Sequence, residues 1–458
     1  MENTQQETKR LDLTEGSIPK TLMRFFFPIA FGMLFQQLYN TVDAVIVGQF
    51  VGTGALAAVG GSAAVLINLV IGFFNGLAGG ATVIISQQYG GGDYERLKKT
   101  VHTIMLFGIL GSLALTFAMY FIVPFALKAV KSPADVFPDS VLYLRIYFAG
   151  TVPLMLYNIG SGILRAVGDS KRPLYFLAAS CIVNIVLDVL FVRVFALGVA
   201  GVGLATVLSV VVSAVLTVGT LMRSKDTYRV RIKDLAIDGP ALSASLRIGI
   251  PAGIQSTMFS FSNLLVQKAV NELGTTFVAA WTATGKLDGI FWMISASFGS
   301  AICAVAGQCF GAGKYDRMKE SIRTCLIIAE ATSIAFAVII LLVIPYGLRL
   351  ITNDPAVIAS GSYIMRFFAP FYFVWIIIEV FASGLRGAGD ALRPTLIVVL
   401  GICGIRILWM LLVIPFWHTE ASVSWVYAVS WTPTAIAFLL YYYKSDWLGR
   451  VLPGRKRD

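Results

Sequence analysis

Asp43 and Asp188 stand inside long apolar stretches. An acid dehydrated in a bilayer costs roughly 3 kcal/mol or more, so each marks a candidate site of function. Counting from residue 25 for the first stretch and residue 173 for the fifth, a helix lifts Asp43 about 27 Å and Asp188 about 22 Å. The sixth stretch descends to residue 222 and leaves Thr206 about 24 Å above its end. Asn184 precedes Asp188 by one turn, on the same helical face. Two carboxylates, an amide oxygen and a hydroxyl thus share one depth on three helices. They are hard oxygen ligands of the kind that sodium accepts. Two adjacent dehydrated carboxylates cannot both stay ionised, so one of them holds a proton. The expected chemistry is exchange of protons, sodium or both at Asp43, Asn184, Asp188 and Thr206. The bland alternative is a structural hydrogen-bond network that closes the N-terminal bundle.

The rest of the chain must position these groups inside a membrane. Its 458 residues are 57% hydrophobic and only 13% charged, about half the charge of an ordinary soluble domain. That composition excludes a soluble enzyme, a disordered chain and a nucleic-acid module. About twelve apolar runs are long enough to span a bilayer as helices: near 25–51, 55–87, 101–127, 139–163, 173–192, 199–222, 244–271, 276–309, 322–351, 359–385, 394–416 and 421–443. Basic residues gather in every second connection. Lys9, Arg10, Lys20 and Arg24 precede the first run, a dense set lies between Arg223 and Arg247, and Arg455, Lys456 and Arg457 stand in the tail. The positive-inside rule then places both termini in the cytoplasm. The net charge of +11 belongs to these connections, not to a nucleic-acid surface. The polar first twenty residues carry no cleavable signal peptide. Five unpaired cysteines and two isolated histidines argue against disulfides, zinc and other transition metals.

The two halves repeat. Leu164-Arg-Ala-Val-Gly-Asp-Ser-Lys-Arg-Pro173 returns as Leu385-Arg-Gly-Ala-Gly-Asp-Ala-Leu-Arg-Pro394, and Gln87-Gln-Tyr-Gly90 returns as Gln308-Cys-Phe-Gly311, both shifted by 221. Pro28 and Asn40 match Pro251 and Asn263, shifted by 223. The fold class expected is therefore an all-α membrane protein of two six-helix bundles, related by a pseudo-twofold along the membrane normal. The N-terminal lobe spans 1–223, a cytoplasmic linker 224–243, and the C-terminal lobe 244–458. The repeated motifs sit at helix ends and read first as loop geometry. Two similar bundles also supply the mechanics of alternating access.

Under the same shifts Asp43, Asn184, Asp188 and Thr206 become Val266, Ile405, Trp409 and Tyr427. The ion constellation is thus confined to the first half. The second half holds its own buried charges: Lys286, Asp288, Glu330, Glu379 and Arg406. They divide evenly between neutralising pairs, Asp288 with Arg406 among them, and handling of substrate or ion. Tyr39 and Asn40 join Lys286, Asp288, Glu379 and Arg406 as candidate substrate or gating residues. Phe31, Phe35, Trp281, Phe291, Trp292 and Met293 read first as lipid-facing or packing groups. A few of them lining a cleft would suit flat cations.

The chain resembles the multidrug and toxic compound extrusion (MATE) transporters over essentially its whole length. The resemblance rests on the 6+6 repeat, Glu15-Gly-Ser-Ile-Pro-Lys20 before Phe27-Pro28, the paired Leu-Arg-x-x-Gly-Asp segments and Gly274-Thr-Thr-Phe-Val-Ala-Ala-Trp281. Among the branches it is similar to the bacterial DinF-type and MepA-like one. The resemblance implies antiport of amphipathic, mostly cationic drugs against protons or sodium, with no cofactor, in a bacterial cytoplasmic membrane. It also implies that Asp43, Asn184, Asp188 and Thr206 form an N-lobe cation site. Some branches place a cation-site glutamate in helix 7, which here carries only Glu272 at its outer end. Small-molecule drugs and membrane lipid are the expected partners, and two lobes in one chain make a monomer sufficient. One competing reading is a lipid-linked oligosaccharide flippase of the same superfamily, disfavoured by twelve spans and mixed charge. The other is an intramembrane enzyme, for which no nucleophile with a base, no metal constellation and no Walker pattern is present.

Overall fold

The computed structural model describes residues 12–130 and 132–452, without the side chains of Thr53 and Ser62. Lys9, Arg10, Lys131, Arg455, Lys456 and Arg457 lie outside the described residues. Among those described, the chain is nearly all helical, with no strand. The first half carries α1 (Ile18–Ile46), α2 (Ser62–Gly90) and α3 (Tyr94–Ala129). Next come α4, a pair Phe137–Ala149 and Thr151–Ala166 bent by 47°, then α5 (Lys171–Asp188) and α6 (Gly198–Arg223). The second half carries α7 (Gly239–Glu272), α8 (Thr275–Gly311), α9 (Tyr315–Arg349), α10 (Pro355–Gly387), α11 (Leu392–Leu412) and α12 (Glu420–Lys444).

Ten of these helices are long and apolar enough to cross a membrane alone, and the bent pair makes an eleventh. Helix α7 is the remaining member of the expected twelve. Its 34 residues exceed the needed length, but Gln255, Ser256, Thr257, Ser260, Ser262, Asn263 and Gln267 lower its hydropathy. The helices are otherwise inside-out relative to a soluble protein. Phe117, Phe125, Val215, Leu342, Leu400 and Leu411 are each more than 60% exposed, which only a hydrocarbon solvent makes favourable.

The described residues form two compact units. One is drawn from Met1–Leu66, Ala81–Ser245 and Ala304–Met318, the other from Ile67–Gly80, Leu246–Cys303 and Lys319–Asp458. The middle of α2 thus belongs to the second unit and the end of α8 to the first. Each exchange rests on glycine. In the second unit a Cβ on Gly76 would lie 2.4 Å from the Gly253 nitrogen, so α2 and α7 touch backbone to backbone. In the first unit the repeated Gln-x-x-Gly motifs cross each other. A Cβ on Gly90 would lie 2.1 Å from the Gln308 carbonyl oxygen, and one on Gly311 1.8 Å from that of Gln87. Gln308 Nε2 then donates to the Ala166 carbonyl at the end of α4, at 2.7 Å.

The repeated Leu-Arg-x-x-Gly-Asp motifs end α4 and α10 in the same way. Gly168 and Gly389 adopt φ of +87° and +96°. Asp169 N–H donates to Leu164 O at 2.9 Å and Asp390 N–H to Leu385 O at 3.0 Å, which closes a Schellman turn in each half. Replacing either glycine by alanine forces a Cβ into the left-handed region, and we expect each variant to lose about 1 kcal/mol. Unfolding midpoints of Gly168→Ala and Gly389→Ala measure this, and unchanged values would remove the conformational argument.

The segment after α6 is strapped to the start of α3 within the first unit. His102 Nε2 accepts from Arg231 N–H at 3.0 Å, and Lys98 pairs with Asp234 at 2.9 Å. The hydrogen bond from Lys98 holds the Asp234 carboxyl below the usual aspartate range.

Candidate functional site

Helix α5 packs against both α1 and α6 in the first unit and brings Asp43, Asn184 and Asp188 together. Asn184 and Asp188 are fully buried on α5, Thr206 is 7% exposed on α6, and Asp43 is half-buried on α1. The Asp43 carboxyl is within interaction range of both Asp188 and Asn184. Asp43 Oδ1, both Asp188 oxygens and both Asn184 amide atoms are buried without a partner in hydrogen-bonding geometry. Buried polar atoms are ordinarily satisfied, so five orphans in one cluster single it out as the candidate site. The Thr206 hydroxyl donates to Val202 O at 3.0 Å, which leaves its oxygen able to accept.

The helices change geometry just beyond the acids. Helix α1 continues as a π-helical segment, Val47–Val51, and α5 as another, Val189–Val194, beginning directly after Asp188. Each residue inserted in a π turn rotates the following side chains by about 100°, and such turns cluster at functional sites. The acids therefore stand on the regular side of two phase breaks.

Tyrosines surround the pair. Tyr143 on α4 is 7% exposed and within electrostatic reach of both Asp43 and Asp188. Its ring lies 6.1 Å from that of Tyr147, and Tyr39 on α1 is within reach of Asp43. Sequence reasoning named Tyr39 and missed Tyr143 and Tyr147. Their i, i+4 spacing puts them on one face of α4, a signal available in the sequence without saying where that face points. Asn40 is exposed on α1.

The second unit pairs its charges differently from the sequence expectation. Asp288 and Arg406 form no ion pair among the described residues. Asp288 is 8% exposed and accepts from the Tyr372 hydroxyl and from Trp292 Nε1, the latter at 2.6 Å. Arg406 is 2% exposed, its Nη1 donating to Asn263 Oδ1 at 2.9 Å and its Nε to Ser430 Oγ at 3.4 Å. The Tyr427 ring stacks on the guanidinium, 4.3 Å from its centre, and its hydroxyl is within electrostatic reach of both Arg406 and Asp288. Hydrogen bonds to neutral partners thus stand where the salt bridge was one of the alternatives. Lys286 is exposed and makes no ion pair among the described residues. Glu379 accepts from Ser383 at 3.1 Å and lies against α8 where Gly299 leaves room, a Cβ there falling 2.0 Å from its oxygen. Glu330 accepts from Ser333 at 3.5 Å, and its Oε1 is buried without a partner. Phe291 is buried and stacked on Tyr372 at 3.8 Å, so it serves packing. Among the described residues no three His, Cys, Asp or Glu side chains form a metal-holding group.

The MatE family model matches residues 28–190 and 251–412, once in each half. The chain is 28% identical to the probable multidrug resistance protein YpnP of Bacillus subtilis, over 96% of this chain and 98% of that protein. It is 23% identical to the multidrug export protein MepA of Staphylococcus aureus strain N315, over 93% of each. A solved MOP superfamily transporter of Pyrococcus furiosus superposes with a TM-score of 0.87 at 21% identity, covering 94% of this chain and 97% of that one. That likeness extends to the two-lobe, twelve-helix fold.

Proposed function

The chain belongs to the MatE family, and from that premise we propose that it is a secondary active multidrug efflux transporter. It exchanges amphipathic, mostly cationic organic compounds for protons, sodium ions or both, by alternating access between its two halves. Members of this family are transporters, and relatives of this chain carry multidrug resistance and multidrug export in their names. One observation carries the ion coupling: Asp43, Asp188 and Asn184 converge in the first unit with five buried, unpartnered polar atoms.

Protons or sodium at this cluster and drug elsewhere favour different states of the protein, and that differential affinity is the coupling. The protein sits in a bacterial cytoplasmic membrane with both termini in the cytoplasm and works as a monomer. Its lobes are 1–223 and 244–458, joined by the linker 224–243. Tyr39 and Tyr143 lie within electrostatic reach of the acid pair, and Asp288 with its aromatic neighbours offers a negative group to a cationic substrate.

Proteoliposomes without ATP test the reading. A fluorescent lipophilic cation added to vesicles carrying an imposed pH or sodium gradient is expected to dissipate that gradient several-fold faster than in protein-free vesicles. Dissipation of neither gradient, with the protein shown to be folded, would end the antiport proposal.

A further inference from the structure

The two halves treat one location in opposite ways. The internal shifts carry Asn40, Asp43, Ile185, Thr206 and Ser209 onto Asn263, Val266, Arg406, Tyr427 and Ser430. The structure supports this mapping independently of the sequence. Ser209 donates to the Thr206 carbonyl at 2.8 Å, and Ser430 donates to the Tyr427 carbonyl at 3.0 Å. In the second half these positions close on Arg406, which touches Asn263, Ser430 and the face of Tyr427. Helices α7, α11 and α12 therefore hold a guanidinium, while α1 and α5, the repeat counterparts of α7 and α11, hold the acid cluster.

A buried guanidinium facing no carboxylate carries a large desolvation cost unless its surroundings are arranged for positive charge. Here they are: an amide oxygen, a hydroxyl oxygen and an aromatic face are the neutral ligands of a cation. Arginine also keeps its charge where other side chains surrender theirs. We infer that Arg406 is a tethered cation occupying, in the second half, the place where the first half takes its exchangeable one. The second unit is thereby held permanently in a cation-loaded arrangement. Val266 and Trp409 in place of the two aspartates remove the means to bind a mobile ion there, and the fixed positive charge repels one. The word exchangeable rests on the proposed role of Asp43 and Asp188. The placement of Arg406 does not.

Val266→Asp tests the placement. Val266 is 2% exposed and lies one turn from Asn263 on the same face of α7. A carboxylate installed there meets either the guanidinium or an apolar wall. In an Asp43→Asn background, which silences the first half, Val266→Asp is expected to melt within about 2 °C of its parent. Its melting temperature gains no dependence on sodium or pH. The double variant Val266→Asp/Arg406→Gln is expected to melt several degrees lower and to recover on adding sodium or acid. Equal destabilisation of the single and double variants would overturn the inference, as would ion dependence of the single variant with Arg406 intact. Ion-dependent stabilisation persisting in Asp43→Asn alone would instead count against the first-half site and leave the comparison at Val266 readable.

Discussion

Asp43→Asn and Asp188→Asn are each expected to abolish ion-driven drug efflux while leaving the folded protein at least as stable as the parent. The two halves of that expectation have separate physical origins. Transport falls because coupling is a difference in ion affinity between states, on the order of 1–3 kcal/mol, or roughly 5- to 150-fold in affinity. An amide cannot exchange a proton and offers sodium no charge. Stability holds because the native carboxylates are poorly served: Asp43 Oδ1 and both Asp188 oxygens have no hydrogen-bond partner. A buried charge left unsatisfied is unfavourable, and a neutral isostere relieves it. Resistance conferred by each variant on a drug-sensitive host should therefore drop to that of empty vector, at equal membrane abundance. Melting temperatures in detergent should stay level or rise. Full resistance in both variants would leave the acid pair a structural feature only. A large fall in melting temperature would show that its hydrogen bonds are better made than the orphaned atoms indicate.

Gly311→Ala carries the second large effect, on folding and not on ion exchange. The added Cβ would stand 1.8 Å from the Gln87 carbonyl oxygen, and Gly90→Ala repeats the clash at 2.1 Å from Gln308. The opposing atoms are backbone, so no rotamer change relieves the contact and α2 and α8 must separate. Overpacking of this kind costs about 3 kcal/mol or more. Separation also strains the bond from Gln308 Nε2 to the end of α4. A built-in control lies two residues away in each motif. Gly92 and Gly313 have φ of +70° and +70° with nothing within 4 Å of an added Cβ. Their alanine variants are expected to lose only about 1 kcal/mol. Thermal melts should thus rank Gly311→Ala and Gly90→Ala well below Gly92→Ala and Gly313→Ala. A common small shift in all four would show that the crossing tolerates a wider spacing.

Much of this organisation was legible in the chain itself. Runs of about twenty apolar residues set the helices, because every backbone group inside a bilayer must be satisfied within its own segment. The shift of 221 placed Gly168 and Gly389, and Gln87 and Gln308, in equivalent roles, and the structure gives them equivalent turns and a shared crossing. Depth along a helix follows from arithmetic, so Asp43 and Asp188 were matched in height before any partner was known. Partners are another matter. A helical period says which residues share a face but not the azimuth of that face against its neighbours. That azimuth depends on the crossings, which glycines tighten where backbones touch, and on local phase breaks such as the π-helical Val399–Gly404 ahead of Arg406. Tertiary structure alone therefore decided that Asp288 answers to Tyr372 and Trp292 instead of Arg406. It alone gave Arg406 the neutral company of Asn263, Ser430 and Tyr427, and brought Tyr143 beside the acids, because side chains on different helices meet only where the crossings put them.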